Sequence, residues 1–251
     1  MIEITRSDAL LTIRLAHGKA SVMDLELVEA LALAFAEANT SDAAAVVLTG
    51  TGSIFSAGVD LFRLTDGGRE YGERFVPALS SLVLDLFSFP KPLVVAVNGH
   101  AIAGGCIMTL CGDYRLMASG NGRIGMPELL VGVPFPASIV EVVRFSVPPQ
   151  HLQSLMYTGR TVQADDALRY GFVDEVVAPD ALAARAEEIA RALGAVAPRN
   201  FALVKRQLRD KAISRAKHYA HELDAEVLDA WSDPATHARI RAYLANTVRK
   251  G

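Results

Sequence analysis

The order of apolar and polar residues predicts strands and helices that alternate through most of the chain. Leu11, Ile13 and Leu15 alternate with polar residues, which is typical of a half-buried strand. Ser21, followed three residues later by Asp24, resembles a helix capping box. Further strands are predicted at 46–49, 93–97 and 172–177, and helices at 25–35, 76–87 and 135–145.

Two segments depart from this alternation. The polar, glycine-bearing segment 62–74 is expected to be mobile. Beyond Pro179 no strand pattern remains, and helices are predicted at 180–193, at 199–230 with a break inside it, and at 234–248. The pattern therefore predicts a layered α/β core followed by a helical C-terminal region.

Composition and charge narrow the class of protein. The chain has 251 residues, of which 51% are hydrophobic and 21% charged, so it can bury a sizeable core. It has 25 Lys and Arg against 28 Asp and Glu, and a net charge of −3 gives no general attraction to nucleic acid or an anionic membrane. The N-terminus carries acidic residues and does not resemble a signal peptide. Cys106 and Cys111 lie five apart in one predicted helix, where a disulfide is not expected, so we expect a reduced, cytoplasmic location.

The stretch 92–128 is the most informative part of the chain. A buried strand, Leu93–Val97, ends at a turn, and an apolar run that follows Gly104-Gly105 suits a buried helix. The first N–H groups of a helix lack internal partners, and glycines there let a ligand approach the backbone, so this turn suits a developing negative charge. The alternative is a core helix whose glycines serve close packing.

Several familiar motifs are excluded by their spacing. Residues 50–52 supply two glycines, but Phe55 stands where a dinucleotide fingerprint needs the third. Ser56 is not in a nucleophile elbow, because Ile54 occupies the first glycine position. His218 and His221 lie three apart with no further ligands, which favours a solvated helix face over a metal site.

The signal that remains is a pair of turns, FSAGVDL at 55–61 and AIAGG at 101–105, each of which follows a predicted strand. Two such turns can direct two backbone N–H groups at one thioester oxygen. The carboxylate of Glu128 can then move a proton at the carbon next to that carbonyl.

Four segments, in this order and spacing, resemble the crotonase (enoyl-CoA hydratase/isomerase) family: FSAGVDL, AGGCIMTLCGDYRLMA, GMPELLVGVPFP and YTGRTVQADDALRYGFVDEVV. The resemblance runs from about residue 10 to 210. It implies an α/β fold with a repeated ββα spiral core, expected at 1–195, and a C-terminal helical trimerisation region, expected at 196–251. It also implies an acyl-CoA thioester substrate, no separate cofactor beyond that coenzyme A, and a homotrimer or dimer of trimers.

The resemblance assigns roles to individual positions. The N–H groups of Val59 and Gly104 would form the oxyanion hole, and Glu128 would be the catalytic acid–base. Lys205 would lie near the coenzyme A phosphates, with an exposed helix lysine as the alternative, and Asp60 is more simply explained as the cap of its turn. The full set of implied substrate or coenzyme A contacts is Ala57, Gly58, Asp60, Leu61, Gly105, Ile107, Pro127 and Lys205.

One departure from the family pattern decides the predicted chemistry. Ile107 stands where typical hydratases carry the first of two glutamates, so only Glu128 remains to act on a proton. A single carboxylate suffices for a 1,3-proton shift, and the pattern is similar to Δ3,Δ2-enoyl-CoA isomerases. Apolar surroundings would raise the pKa of Glu128 and make it a better base.

Other functions stay open. A hydratase, hydrolase or decarboxylase would need a relocated second acid, and an inactive coenzyme A-binding scaffold would need none. The candidate second acids are Asp66, Glu70, Glu73 and Glu141.

Overall fold

The structure is a computed structural model that describes residues 1–247. Its strands are β1 (Ile2–Ser7), β2 (Leu10–Leu15), β3 (Ala45–Thr49), β4 (Ile54–Ser56), β5 (Leu93–Val97), β6 (His100–Ile102), β7 (Tyr114–Ala118), β8 (Ile124–Gly125), β9 (Thr161–Val162) and β10 (Glu175–Val177). Its helices are α1 (Leu25–Thr40), α2 (Leu61–Ser88), α3 (Gly104–Leu110), α4 (Glu128–Val131), α5 (Ala137–Ser146), α6 (Pro149–Thr158), α7 (Ala164–Arg169), α8 (Leu182–Gly194), α9 (Pro198–Ser232) and α10 (Pro234–Thr247). The end predicted for the last helix, 248, and that of the C-terminal region, 251, lie outside the described residues.

The larger sheet has six strands in the order β1-β2-β3-β5-β7-β10. β1 and β2 pair antiparallel, and the other neighbours pair in parallel. Every residue of β3 and β5 is buried because both faces of the sheet are covered. Val47 and Val94 pack towards α8, whereas Val46 and Val95 face the main core.

The smaller sheet, β4-β6-β8-β9, brings the informative turns together. β3, β5 and β7 lie in the larger sheet, and each is followed by a strand of the smaller sheet and then a helix. This repeated ββα spiral confirms the fold that the resemblance implied. Because β4, β6 and β8 run parallel, the turns that follow them meet at the same edge. These are the turns that carry Val59, Gly104 and Glu128.

The C-terminal helices pack back onto the core. α9 lies against α2 and α5, and α10 lies against α2 and α4. The predicted helical region is therefore confirmed, and the predicted boundary at 195/196 falls in the turn between α8 and α9. Within residues 1–247, no helix combines the length and the apolar character that crossing a membrane requires.

Most predicted elements are confirmed. The predicted strands at 46–49 and 93–97 correspond to β3 and β5, and the predicted helix at 135–145 corresponds to α5. The late strand is shorter than predicted, because only Glu175–Val177 pairs with β7. The break predicted inside 199–230 is wrong, since α9 is continuous.

One local prediction needs correction and another stays a prediction. The capping box at Ser21 is wrong: Asp24 caps α1 and accepts a hydrogen bond from the N–H of Leu27 at 2.8 Å. The segment 62–74 forms the first turns of α2, where Leu64 is fully buried, and its mobility stays a prediction. Gly68 alone leaves helical geometry there, with φ of 60°.

Candidate active site

The first amide of the site is that of Val59, in the turn between β4 and α2. The Met23 N–H donates to the Gly58 carbonyl at 2.7 Å, and the Asp60 N–H donates to the Met23 carbonyl at 3.0 Å. These two bonds make a parallel bridge in which the N–H of the middle residue, Val59, points away from Met23. The Val59 N–H donates to no other described residue, so it is available to a ligand.

The second amide, that of Gly104, begins α3. A first-turn N–H has no partner inside its own helix, and the Gly104 N–H finds none among the described residues outside it. Ala103, just before it, has φ of 51° and ψ of −120°, which is strained for a residue with a side chain. The Ala103 N–H donates to the Gly125 carbonyl at 2.8 Å and holds this turn in place.

The two turns touch at Gly58 and Gly104. A Cβ built on Gly58 would lie 3.2 Å from the Gly104 nitrogen and 2.6 Å from the Ala103 Cβ. Gly58 also has φ of 84°, in the left-handed region that favours glycine. The sequence therefore brings the Val59 and Gly104 amides to neighbouring positions, the arrangement that an oxyanion hole requires.

The acid of the site is Glu128, the first residue of α4. It is only 7% exposed, and its Oε2 has no hydrogen-bond partner among the described residues. Burial raises the pKa of Glu128 from 4.5 to about 8. A buried carboxyl with one unpartnered oxygen and such a pKa is suited to accept and return a proton near neutral pH.

Both turns and the acid border one apolar cavity of about 70 Å³. Its lining residues are Ala57, Val59, Leu61, Ile102, Ala103, Pro127, Glu128, Val131, Val133, Trp231 and Tyr243. Five residues singled out from the sequence are in this set: Ala57, Val59, Leu61, Pro127 and Glu128. Among the lining residues Glu128 is the only charged one.

Three other predicted site residues lie beside the cavity. Asp60 caps α2, accepting from the N–H groups of Phe62 and Arg63 at 3.0 Å each, so its predicted cap role is confirmed. A Cβ on Gly105 would lie 2.5 Å from the Ser56 carbonyl oxygen, so close packing explains this glycine. Ile107 is fully buried in the main core and is not a lining residue.

Lys205 lies in a different part of the molecule. It is 6% exposed, so the alternative of an exposed helix lysine is wrong. Its Nζ lies 2.6 Å from Asp113 Oδ2, and Arg209 lies 2.9 Å from the other oxygen of that carboxylate. Burial lowers the pKa of Lys205 to about 8, although Asp113 opposes the shift. Clefts of about 550 and 360 Å³ adjoin Lys205, but neither includes a residue of the Glu128 cavity.

The candidate second acids are all outside the cavity lining. Glu141 is 1% exposed and pairs with Arg215 at 2.7 Å. Glu73 pairs with Arg69 on the surface of α2, and Asp66 and Glu70 are exposed on the same helix. Within residues 1–247, no group of three His, Cys, Asp or Glu side chains is placed to hold a metal ion.

The sequence pattern did not identify the cavity-lining residues that come after Glu128 in the chain. Val131 and Val133 come directly after the acid, and Trp231 and Tyr243 come from α9 and α10. The signal available in the sequence was that Trp231 is the single tryptophan of the chain, on a helix that is otherwise rich in charge. Nothing in local periodicity says which distant element such a side chain will contact.

Known proteins resemble this chain in both sequence and fold. A family model described as enoyl-CoA hydratase/isomerase matches residues 5–244. A carnitinyl-CoA dehydratase of Salmonella arizonae is 31% identical over 255 residues, 96% of each chain. The crystal structure of an enoyl-CoA hydratase of Mycobacterium ulcerans is 30% identical, with a TM-score of 0.84 over 90% of this chain and 98% of that one. The human mitochondrial Δ3-Δ2-enoyl-CoA isomerase shares the fold, with a TM-score of 0.91 at 23% identity over 99% and 98% of the two chains.

Proposed function

This chain belongs to the enoyl-CoA hydratase/isomerase family, and from that premise we propose that it isomerises a 3-enoyl-CoA thioester to the conjugated 2-enoyl-CoA. The observation that carries the proposal is the cavity lining, in which Glu128 is the only carboxylic acid beside two turns with unpartnered amides. A 1,3-proton shift needs one group that removes a proton and returns it elsewhere, and Glu128 can do both.

The proposed reaction has two proton transfers. With the thioester oxygen held by the Val59 and Gly104 N–H groups, the Glu128 carboxylate removes a proton from C2. The electron pair left at C2 delocalises through C1 onto the thioester oxygen and, through the conjugated 3,4-double bond, onto C4. The resulting dienolate takes the same proton back at C4, which leaves the double bond between C2 and C3. Glu128 ends as a carboxylate, so atoms and charge balance.

The two amides would supply the electrostatic part of catalysis. Charge grows on the thioester oxygen as the dienolate forms, and preorganised N–H donors stabilise it in an apolar cavity. Losing one such donor typically raises the barrier by about 2.7–4 kcal/mol. The strain at Ala103 supports this role, because unusual backbone angles concentrate where geometry serves a function.

A single acid favours isomerisation over hydration. Hydratases of the family use two glutamates to hold and activate a water molecule, and here the first position is Ile107, a core residue. None of the four candidate replacements lines the cavity. The cavity lining therefore offers one carboxyl and no second one to hold and activate a water.

A water-adding or water-removing reaction is the second candidate, because relatives of the chain are named carnitinyl-CoA dehydratase and enoyl-CoA hydratase. It would require an acid to enter the cavity with the substrate. An inactive coenzyme A-binding scaffold is disfavoured by the unpartnered buried Glu128, which costs free energy to keep unless it has a use.

We also place the protein in the cytoplasm and expect it to act as a homotrimer or dimer of trimers, with no cofactor besides the coenzyme A of its substrate. The location is supported by Cys106 and Cys111, which are buried free thiols.

The test is a paired assay on purified protein. One arm supplies a 3-enoyl-CoA and follows the appearance of the conjugated thioester, and the other supplies a 2-enoyl-CoA and follows its hydration. We expect isomerisation without hydration, abolished by Glu128→Gln and retained by Glu141→Gln, a matched buried glutamate outside the cavity. Hydration at a comparable rate, or full activity of Glu128→Gln, would refute the one-acid mechanism.

A further inference from the structure

The part of the cavity wall that comes from the C-terminal region carries information about substrate size. Resting on the proposed function, we propose that Trp231 closes the acyl end of the cavity and restricts the enzyme to short acyl chains. Trp231 acts here as a specificity-determining residue, and it plays no part in proton transfer.

The lining residues divide into a mouth and a closed end. Ala57 is exposed, and Val59, Leu61 and Ala103 are partly exposed, so the cavity opens on the side of the first two turns. Trp231 is only 2% exposed, and we assign it to the closed end of the cavity. At that end it is joined by Val133, 2% exposed, and Val131, 6% exposed.

The proposed chemistry fixes the direction of the acyl chain. The thioester oxygen belongs at the Val59 and Gly104 amides, and C2 belongs at Glu128. Coenzyme A is large and charged and must stay on the exposed side. The remaining carbons of the acyl group must then extend past Glu128 towards Trp231 and Val133.

The volume of the cavity limits how many carbons fit. At about 70 Å³ it is roughly half the size of an apolar cavity of about 150 Å³ that holds one benzene molecule. An acyl chain that exceeds this volume would therefore need part of the wall to move. The identity and mobility of the end wall thus decide the substrate range.

Trp231 is a fixed wall because three contacts hold it. Its Nε1–H donates to the Pro134 carbonyl at 2.8 Å. Its ring packs against Phe75, with centroids 6.4 Å apart. His237 Nε2–H donates to the Trp231 carbonyl at 2.9 Å, which ties the end of α9 to α10. The ring cannot swing aside without losing its hydrogen bond to Pro134 and its packing against Phe75, and the backbone bond keeps the end of α9 in place.

Helix α10 contributes to the cavity wall and is bonded to α2. Arg241, on α10, donates to the Thr65 carbonyl of α2 at 3.1 Å. Tyr243, two residues further on, lines the cavity. The helix that carries Tyr243 is thus fastened to α2 as well as to α9.

The experiment measures binding of butanoyl-CoA, decanoyl-CoA and unacylated coenzyme A to the full chain. Trp231 is the single tryptophan, so its emission reports directly on filling of the closed end in the wild type; calorimetry serves for the variants. We expect the wild type to bind butanoyl-CoA at least about tenfold more tightly than decanoyl-CoA. Trp231→Leu should lower that ratio by roughly tenfold through tighter binding of the longer thioester.

Controls separate chain-length selection from general damage. Phe87→Leu removes a buried aromatic ring of the core that does not line the cavity, and it should leave the ratio unchanged. Val133→Ala enlarges the same closed end and should act like Trp231→Leu, which keeps the test valid if the tryptophan variant does not fold. Equal binding of both thioesters by the wild type, or a ratio unaffected by both variants, would overturn the assignment of Trp231 alone. Failure to bind any acyl-CoA would overturn this inference and the proposed function together.

Discussion

At the scale of single residues, Glu128 makes the activity depend on pH. Its carboxylate form is the base, and burial raises its pKa to about 8. We therefore expect kcat/KM for isomerisation to rise with pH through about 8 and then level off, because the free enzyme is mostly protonated below that value. A pH–rate profile that is already flat from pH 6 upward would contradict the assignment.

The same carboxyl should reduce stability at high pH. Its pKa in the folded state, about 8, lies above the ordinary 4.5, so between these values the folded state binds more protons than the unfolded state. Stability must then fall as pH rises from about 4.5 to about 8. Glu128→Gln should raise the thermal midpoint by at least a few degrees at pH 8.5 and much less at pH 4.5. A difference independent of pH would show that the carboxyl is not the cause.

Removing the ion pairs around Asp113 should greatly lower the free energy of unfolding without a matching loss of catalytic activity. Asp113→Asn would leave the buried cations of Lys205 and Arg209 without their counter-charge, and breaking such a buried pair typically costs about 3–5 kcal/mol. Lys205→Met removes one cation and keeps the pair between Asp113 and Arg209, so we expect a smaller loss. Denaturant unfolding of the two variants checks the order, and the reverse order would contradict it.

The sequence was enough to predict many of the cavity residues, but it was not enough to predict where Lys205 lies. Ala57, Val59 and Glu128 each follow a strand of one sheet, so local order along the chain was enough to bring them together. Lys205 depends on a partner 92 residues away. Its burial could not be read from the helical segment itself, because the buried carboxylate that pairs with it lies on a distant part of the chain.

At the scale of elements, the contact between two turns is the feature most sensitive to small changes. A Cβ on Gly104 would lie 2.5 Å from the Met23 sulfur, which is fully buried. We expect Gly104→Ala to fold but to displace Met23 and the Val59 amide bridged to it. A displacement of this kind should lower kcat by roughly 10–100-fold.

Steady-state kinetics of Gly104→Ala tests the loss of kcat, and its thermal unfolding tests whether the variant folds. Gly72→Ala, inside α2, is the matched control, since its added Cβ would come no closer than 3.2 Å to the Ser232 hydroxyl. It should retain full activity. Equal kinetics of the two variants would show that the Gly104 turn tolerates a side chain.

The sequence pattern did not predict the short strands that align the turns of Val59, Gly104 and Glu128. β4, β6 and β8 have two or three residues each, too few for an alternating pattern to appear. The buried apolar runs did predict β3 and β5, the longer strands before β4 and β6, but not β7, the longer strand before β8.

At the scale of the whole molecule, α9 exposes apolar side chains that a lone chain would leave in water. Leu203, Val204 and Leu208 are 42%, 53% and 64% exposed. We expect light scattering to find three or six copies, and Leu208→Glu to shift the protein towards monomers. Leu33→Glu, at a site 61% exposed on α1, is the control and should leave the assembly intact. A monomeric wild type would contradict the predicted trimer.

Because Trp231 forms part of the cavity wall, the cavity cannot be completed until this residue has been synthesised. Both amide turns and Glu128 lie in the first 128 residues. The hydrogen-bond donor to the Pro134 carbonyl is Trp231, which is synthesised 97 residues later. At about 5–20 residues per second, translation supplies that partner roughly 5–20 s after its acceptor. We therefore expect the nascent chain to hold the two amide turns and Glu128 beside an open apolar gap, and the closing of that gap to be a late, long-range step of folding.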